Sequence, residues 1–169
     1  NLGGDGWESK KLNQVCKIDK IHKQDEKLPY VGMEDISSKS NKCTGSLNPT
    51  DVKSSTFKFT SNHLLYGRLR PYLNKVLLPD FDGHCSTEIF PLLPSCELDR
   101  EFLFFWITQK TINNKINETC TGARMPRANM NAVMEFDIFI PPIDIQRTIV
   151  TRLKVLLEEI SEVHGTYKT

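Results

Sequence analysis

Nothing in these 169 residues has the pattern of a metal or disulfide scaffold. The five cysteines, Cys16, Cys43, Cys85, Cys96 and Cys120, are odd in number, far apart, and form no Cys-x-x-Cys pair, so a zinc ribbon or a stapled secreted fold is not expected. The four histidines are equally scattered. His84 stands beside Cys85, but neighbours on a strand point to opposite faces, which argues against a base acting on a thiol. No apolar run approaches the ~20 residues that cross a bilayer. The segment Asn1 to Gly6 has no charged-then-apolar signal architecture, so a soluble, cytoplasmic chain without a membrane partner is expected. Also missing are a Gly-x-x-x-x-Gly-Lys-Ser/Thr phosphate loop, a Gly-x-Ser-x-Gly elbow and a His-Glu-x-x-His metal pair.

There is no large excess of either charge: 22 Lys and Arg stand against 21 Asp and Glu, a formal net charge of +1. The distribution is less even than the sum. Lys53 to Lys75 carries Lys53, Lys58, Arg68, Arg70 and Lys75 without an acid, and Thr119 to Met134 carries Arg124 and Arg127, again without an acid. Acids collect at Asp25-Glu26, Glu34-Asp35, Glu97 to Glu101 and Glu158 to Glu162. A fold that joins the two acid-free segments presents a basic face suited to a polyanion.

The pattern of apolar residues predicts a mixed α/β (α+β) fold, a twisted and mostly antiparallel sheet with flanking helices. Leu28 to Ile36 reads as a strand, and Ser37 to Ser55, rich in Ser, Asn and Lys, as a loop. Short strands are expected at Phe57 to Phe59, His63 to Leu69 and Asn74 to Leu78. Asp82-Gly83 suggests a hairpin pairing Val76 to Leu78 with Ser86 to Leu93, with Pro91 marking an edge or strand end. Asp99 is a fair N-cap for one helix from about Arg100 to Asn117, and Asn129 to Met134 is read as a short turn of helix. Phe136 to Ile140 is a strand stopped by Pro141-Pro142, and Trp7 to Ile18 fits either a turn of helix or an irregular strand.

A second long helix follows. Ile145, Ile149, Leu153, Leu156, Ile160 and Val163 are spaced 4, 4, 3, 4 and 3, close to a heptad seam. The stripe is narrow, with Gln146, Arg147, Arg152, Lys154, Glu158 and Glu159 on its flanks. Such a helix is expected to leave the globular body, residues 1–142, and to meet a partner helix through residues 143–169 as a coiled coil.

Two nucleic-acid chemistries fail at the positions they need. Ile140-Pro-Pro-Ile143 has the two prolines of an amino-methyltransferase loop but neither its polar residue nor its aromatic one. Pro79-Asp80 with Glu88-Ile-Phe90 has the acids of a metal-dependent nuclease, but Phe90 stands where a lysine is needed.

The ordered set Trp7, Tyr30-Val-Gly-Met-Glu-Asp-Ile36, Leu65-Tyr-Gly-Arg-Leu-Arg-Pro-Tyr72 with Lys75, Cys85-Ser-Thr-Glu88, Gly122-Ala-Arg-Met-Pro-Arg127, and Ile140-Pro-Pro around Gln146 and Ile149 resembles a target-recognition domain of the specificity subunit of type I restriction-modification systems. The resemblance implies a mixed α/β recognition domain followed by a long helix, two such units making a full subunit through antiparallel helices. It implies double-stranded DNA as ligand and no catalytic residue, metal or cofactor on this chain. S-adenosylmethionine belongs to a modification (methyltransferase) subunit, ATP and Mg to a restriction subunit. The chain is then half of a split subunit, a short half that pairs with itself, or a fragment ending inside the helix. A protein-interaction adaptor working through the helix, and the recognition domain of a fused restriction-methyltransferase, are the alternatives.

The matching positions make Arg68, Arg70, Lys75, Arg124 and Arg127 the DNA-contact candidates, with Lys58 from the same basic stretch. Residues shared by the family suit phosphates, which set register, so base readers are expected in Ser37 to Thr60 and Asn113 to Asn131. Asn129 and Asn131 are candidates because an amide pairs bidentately with adenine. Gly32, Gly67 and Pro71 are read as backbone requirements, and Ser86-Thr87-Glu88 as a buttress.

Overall fold

Leu64, Leu65 and Tyr66 are each fully buried, so the strand they form is covered on both faces and marks the centre of the molecule. The computed structural model describes residues 6–22 and 27–167; the Asp25-Glu26 acids and the segment before Gly6 lie outside the described residues. In chain order the first elements are β1 (Glu8–Lys11), α1 (Leu12–Val15), β2 (Cys16–Ile18), β3 (Ile21–His22), β4 (Tyr30–Val31), β5 (Thr56–Phe59), β6 (Leu64–Gly67) and β7 (Val76–Leu77). Then come β8 (Gly83–Ser86), β9 (Ile89–Pro94), α2 (Arg100–Thr108), α3 (Lys110–Glu118), α4 (Met130–Val133), β10 (Asp137–Ile140) and α5 (Ile143–Tyr167).

Two four-stranded sheets, ordered β2-β9-β6-β7 and β3-β5-β8-β4, enclose the core, and every pairing except the parallel β4–β8 is antiparallel. Phe57 of one sheet meets Phe90 of the other edge-on, ring centroids 6.1 Å apart. Among the described strands the chain passes between these two sheets four times, twice through two-residue corners: Asp19-Lys20 between β2 and β3 and Thr87-Glu88 between β8 and β9. His63 braces the first corner: its Nδ1 accepts from the Thr60 backbone N–H at 2.9 Å, so Nε2 carries the proton and donates to Asp19 Oδ2 at 2.7 Å. A separate ribbon, β1 with β10, closes the chain's beginning onto its last strand, and Trp7 stacks on Phe139 at 5.6 Å.

Four expectations need correction. Val76 to Leu78 does not form a hairpin with Ser86 to Leu93, because β7 pairs with β6, and β6 lies between it and β9. Pro91 sits within an inner strand, and geometry explains why that is tolerated. Its carbonyl accepts from Asp19 N–H at 2.8 Å, so its absent N–H faces the side where β2 has already ended at Ile18. The Leu28 to Ile36 strand is only two residues long before a 3₁₀ turn at Met33–Asp35. The Arg100 to Asn117 helix is broken at Gln109, which is extended (φ −65, ψ 148). At that break the Thr108 hydroxyl donates to Phe104 O, and Asn74 Nδ2 donates to Thr108 O at 2.9 Å, satisfying the helix end.

The Asp99 cap read from sequence holds, and Asn129, which opens the short helical turn read from sequence, caps it as well. Asp99 Oδ2 accepts from Glu101 and Phe102 backbone N–H at 3.1 and 3.0 Å, and Asn129 Oδ1 accepts from Ala132 N–H at 3.2 Å. Asp99→Ala should lower the melting temperature by about 3 °C, the equivalent of ~1 kcal/mol, in a thermal melt followed by circular dichroism. A melt identical to wild type would show that water replaces the cap without loss.

Helix α5 begins directly after Pro141-Pro142 and lies against α2. Gln146 and Val150 are buried, Ile149 and Leu153 half-buried, and every residue from Lys154 to Val163 is exposed. The expected departure of the helix from the body is therefore seen from about Lys154 onward. Gln146, placed on the polar flank by the heptad reading, instead belongs to the docked face. No helix among the described residues is long and apolar enough to cross a membrane.

Candidate nucleic-acid interface

The two acid-free segments meet. Leaving β6, the chain Gly67 to Arg70 runs antiparallel to Pro126 to Ala128. Arg70 N–H donates to Pro126 O at 2.7 Å, Ala128 N–H to Arg68 O at 2.9 Å, and Leu69 bridges Arg127. The Gly122 to Arg127 loop is folded back on itself by reciprocal Thr121–Arg127 backbone bonds of 3.1 and 3.0 Å, a turn that needs the positive φ (+95) of Gly122. Gly67 is required by close approach: a Cβ there would lie 2.9 Å from the Met33 side chain and 3.0 Å from the Lys75 carbonyl.

This ribbon borders a cleft of about 300 Å³ lined by Lys20, Arg68, Phe90, Arg127, Asn129 and Asn131, among others. Phe90 forms its floor, with Lys20 Nζ 4.2 Å and the Arg68 guanidinium carbon 4.8 Å from the ring centroid. Both cations are drawn to the ring face and held pointing into the cleft. Behind them stands Glu88. Its carboxylate accepts from Arg127 Nε at 3.1 and 3.0 Å, pairs with Arg127 Nη2 at 3.0 Å, and lies 3.4 Å from Arg68 Nε. The Glu88 carboxylate holds the Arg127 guanidinium above its ordinary pKa. Glu88 is itself fixed, its N–H donating to Ser86 Oγ at 3.1 Å and its carbonyl accepting from Arg68 N–H at 3.0 Å.

Of the sequence-derived candidates, Arg68, Arg127, Asn129 and Asn131 come together in this cleft, while Arg70 and Arg124, both exposed, continue the same ribbon. Arg70 has left-handed backbone angles (φ 50, ψ 63) and leads into the Pro71–Leu73 turn, whose Tyr72 is exposed. Lys75 and Lys58 are elsewhere. Lys75 Nζ donates to Met33 O at 2.7 Å, tying β7 to the Met33–Asp35 turn. Lys58 pairs in register with His84 on β8, on the face where His84 meets Thr56 and the Thr50 carbonyl, opposite the Phe57 side that faces Phe90. The Asn129 side-chain oxygen caps α4, and Tyr66 is core. Of the two stretches expected to hold base readers, Asn113 to Asn131 borders the cleft. Ser37 to Thr60 instead has Asn41, Lys42, Gly45 and Leu47 lining a groove of about 410 Å³ with Leu77, Leu78 and Phe81.

Sequence reasoning missed Lys20 and Phe90. Neither carries a local signal, since they meet only because the two sheet corners lie side by side. His84 and Cys85 do point apart. The His84 ring bonds to Thr56 Oγ1 and Thr50 O at 2.9 and 2.8 Å, whereas Cys85 Sγ donates to Ile89 O at 3.6 Å and is pushed well above the ordinary thiol range by burial. Burial likewise pushes Cys16 up to about 12.

Residues 4–167 match the family model described as the type I restriction modification DNA specificity domain. The chain belongs to that family. It is 27% identical over 155 residues to the type I restriction enzyme EcoDI specificity subunit of Escherichia coli, covering 89% of this chain and 34% of that protein. The HsdS subunit from Thermoanaerobacter tengcongensis superposes with a TM-score of 0.81 at 25% identity, over 97% of this chain and 45% of that one. A chain solved in work on complex assembly and conformational transition of the type I R-M system gives a TM-score of 0.82 at 26% identity, over 96% and 45%. The chain thus spans about a third of the curated relative and under half of each of these two solved chains. Its mixed α/β fold with a long C-terminal helix is that of these structures.

Proposed function

We propose that this chain is one DNA target-recognition unit of a type I specificity subunit, binding double-stranded DNA in a defined sequence while partner subunits carry out methylation and cleavage. The observation that carries this reading is the antiparallel pairing of Arg68 to Arg70 with Pro126 to Ala128, which turns two acid-free segments into one basic ribbon on a nearly neutral chain. In this reading Arg70 and Arg124 contact phosphates at the ribbon's exposed end, and Lys20, Arg68 and Arg127 do so at the cleft. Asn131 and the nearby loop from Thr121 reach base edges. Lys75 and the Asn129 oxygen are engaged internally and act by holding the ribbon in shape. S-adenosylmethionine, ATP and Mg act on the modification and restriction subunits. The exposed end of α5 meets the helix of a second recognition half or a second copy.

The test is selection from a randomised duplex pool at low salt, followed by titration of the recovered duplex. Enrichment of a short fixed motif is expected; retention without enrichment, or no retention, would overturn sequence recognition. Arg70→Ala and Arg124→Ala should each weaken binding to all duplexes and make the plot of log K against log salt shallower by about 0.9 for each phosphate no longer neutralised. An unchanged slope in both variants would remove the ribbon from the interface.

A further inference from the structure

The cleft has three cations and no acid in its lining, yet a carboxylate stands directly behind two of them. A surface built only to hold polyanion gains from free guanidinium charge. Here Glu88 engages Arg127 through both carboxylate oxygens, lies within ion-pair reach of Arg68, and is anchored by two further bonds to Ser86 and to the Arg68 backbone. Four separate interactions fix an acid where polyanion binding alone would disfavour it.

We propose that Glu88 is a specificity-determining positioning residue of the DNA interface. By offsetting one charge of the cleft and locking the Arg127 fork, it weakens attachment to any phosphate backbone while preserving the geometry that a correctly registered duplex needs. This rests on the DNA-recognition reading. The physical reason is that sequence-independent binding follows the number of counterions that protein cations release, so a guanidinium already paired with a carboxylate contributes less to it. Contacts in the correct register depend instead on direction, which the bidentate pair fixes.

Glu88→Gln keeps the shape, one oxygen acceptor and the main-chain bonds, and removes the charge. The full chain should then bind a duplex of scrambled sequence about threefold to tenfold more tightly at low salt, with a salt slope steeper by about one phosphate neutralised. The affinity ratio between a duplex recovered from the randomised pool and the scrambled one should fall about tenfold. Glu88→Asp retains the charge with a shorter reach, so it should keep the wild-type slope and lose part of the ratio. A role in folding alone would move the melting temperature and leave the slope untouched. The inference is overturned if Glu88→Gln binds the scrambled duplex with wild-type slope and ratio, or if Glu88→Asp steepens the slope as Glu88→Gln does. A wild-type chain that retains no duplex at low salt would instead defeat the DNA reading itself, and this inference with it.

Discussion

Replacing Gln146 by Leu should destabilise the chain by about 3–5 kcal/mol, although Leu is nearly the same size and belongs to the same apolar face. Gln146 is fully buried at the junction of three elements. Its Oε1 accepts from Asp99 N–H at 2.8 Å, and its Nε2 donates to Glu97 O at 2.8 Å and Pro141 O at 2.9 Å. One side chain therefore satisfies the backbone just before α2 and the proline that precedes α5. Leu leaves one N–H and two carbonyls without those partners, each worth roughly 1–3 kcal/mol when buried, with part exposure at Asp99 and Glu97 keeping the sum low in that range. Against a total stability of about 5–15 kcal/mol, this lowers the melting temperature by about 10 °C. Gln146→Glu should be no milder, because it keeps an acceptor for Asp99 but loses both donors and buries a charge. Urea unfolding of the three proteins measures the difference; a Leu variant within about 1 kcal/mol of wild type would mean that water supplies the missing bonds.

That residue also shows where reading the sequence reached its limit. Helix α5 was legible in extent, because Pro141-Pro142 ends a strand and an unbroken periodic stretch follows, and the Asp99 cap was legible because capping is local. Gln146 was not, since a polar side chain on a heptad flank looks solvated until its three backbone partners are known, and two of those come from the Glu97–Asp99 turn, more than forty residues away. The false hairpin arose similarly: Asp82-Gly83 has the composition of a turn, but Gly83 already opens β8 and β6 claims both β7 and β9, and no local signal records that competition. The break at Gln109 depends on Asn74, which reaches the Thr108 carbonyl from a turn on another element.

At the cleft, the acid-free runs marked two segments that the fold pairs side by side, because charge exclusion is a property of composition. Arg68 and Arg127 were therefore found, while Lys20 and Phe90 were not. Lys58 and Lys75 were grouped with them by sequence proximity alone. Strand geometry separates them, sending Lys58 to the opposite face of its sheet and bending Lys75 onto Met33 O. Glu88 was read as a buttress, and the structure gives that buttress a definite object in the two arginines.

Leu156→Asp with Ile160→Asp should abolish self-association of the chain, or its pairing with a second recognition half, and leave the body's melting temperature unchanged. Lys154 pairs with Glu101 of α2, but every residue from Lys154 to Val163 is exposed, and Val155, Leu156, Leu157, Ile160 and Val163 are 48%, 53%, 52%, 63% and 57% exposed. Half of those ten residues are large and apolar, and so short an extension is marginal as an isolated helix in water, so a partner that buries this face stabilises both the helix and the contact. Burying each Leu or Ile contributes roughly 1.5–3 kcal/mol; in a two-fold pair the double variant removes four such side chains and places four carboxylates in the seam. Association at micromolar concentration, about 8 kcal/mol, does not survive that loss. Leu153→Asp is a poorer choice, because Leu153 is half-buried and next to Lys154, which pairs with Glu101 of α2, so its loss would disturb docking and pairing together. Sedimentation velocity over a concentration series separates the outcomes: wild type should sediment as a pair and the double variant as a monomer with the same melt. A wild-type chain that remains monomeric throughout would assign this face to a different helix, and mixing with a second recognition half would then be the decisive titration.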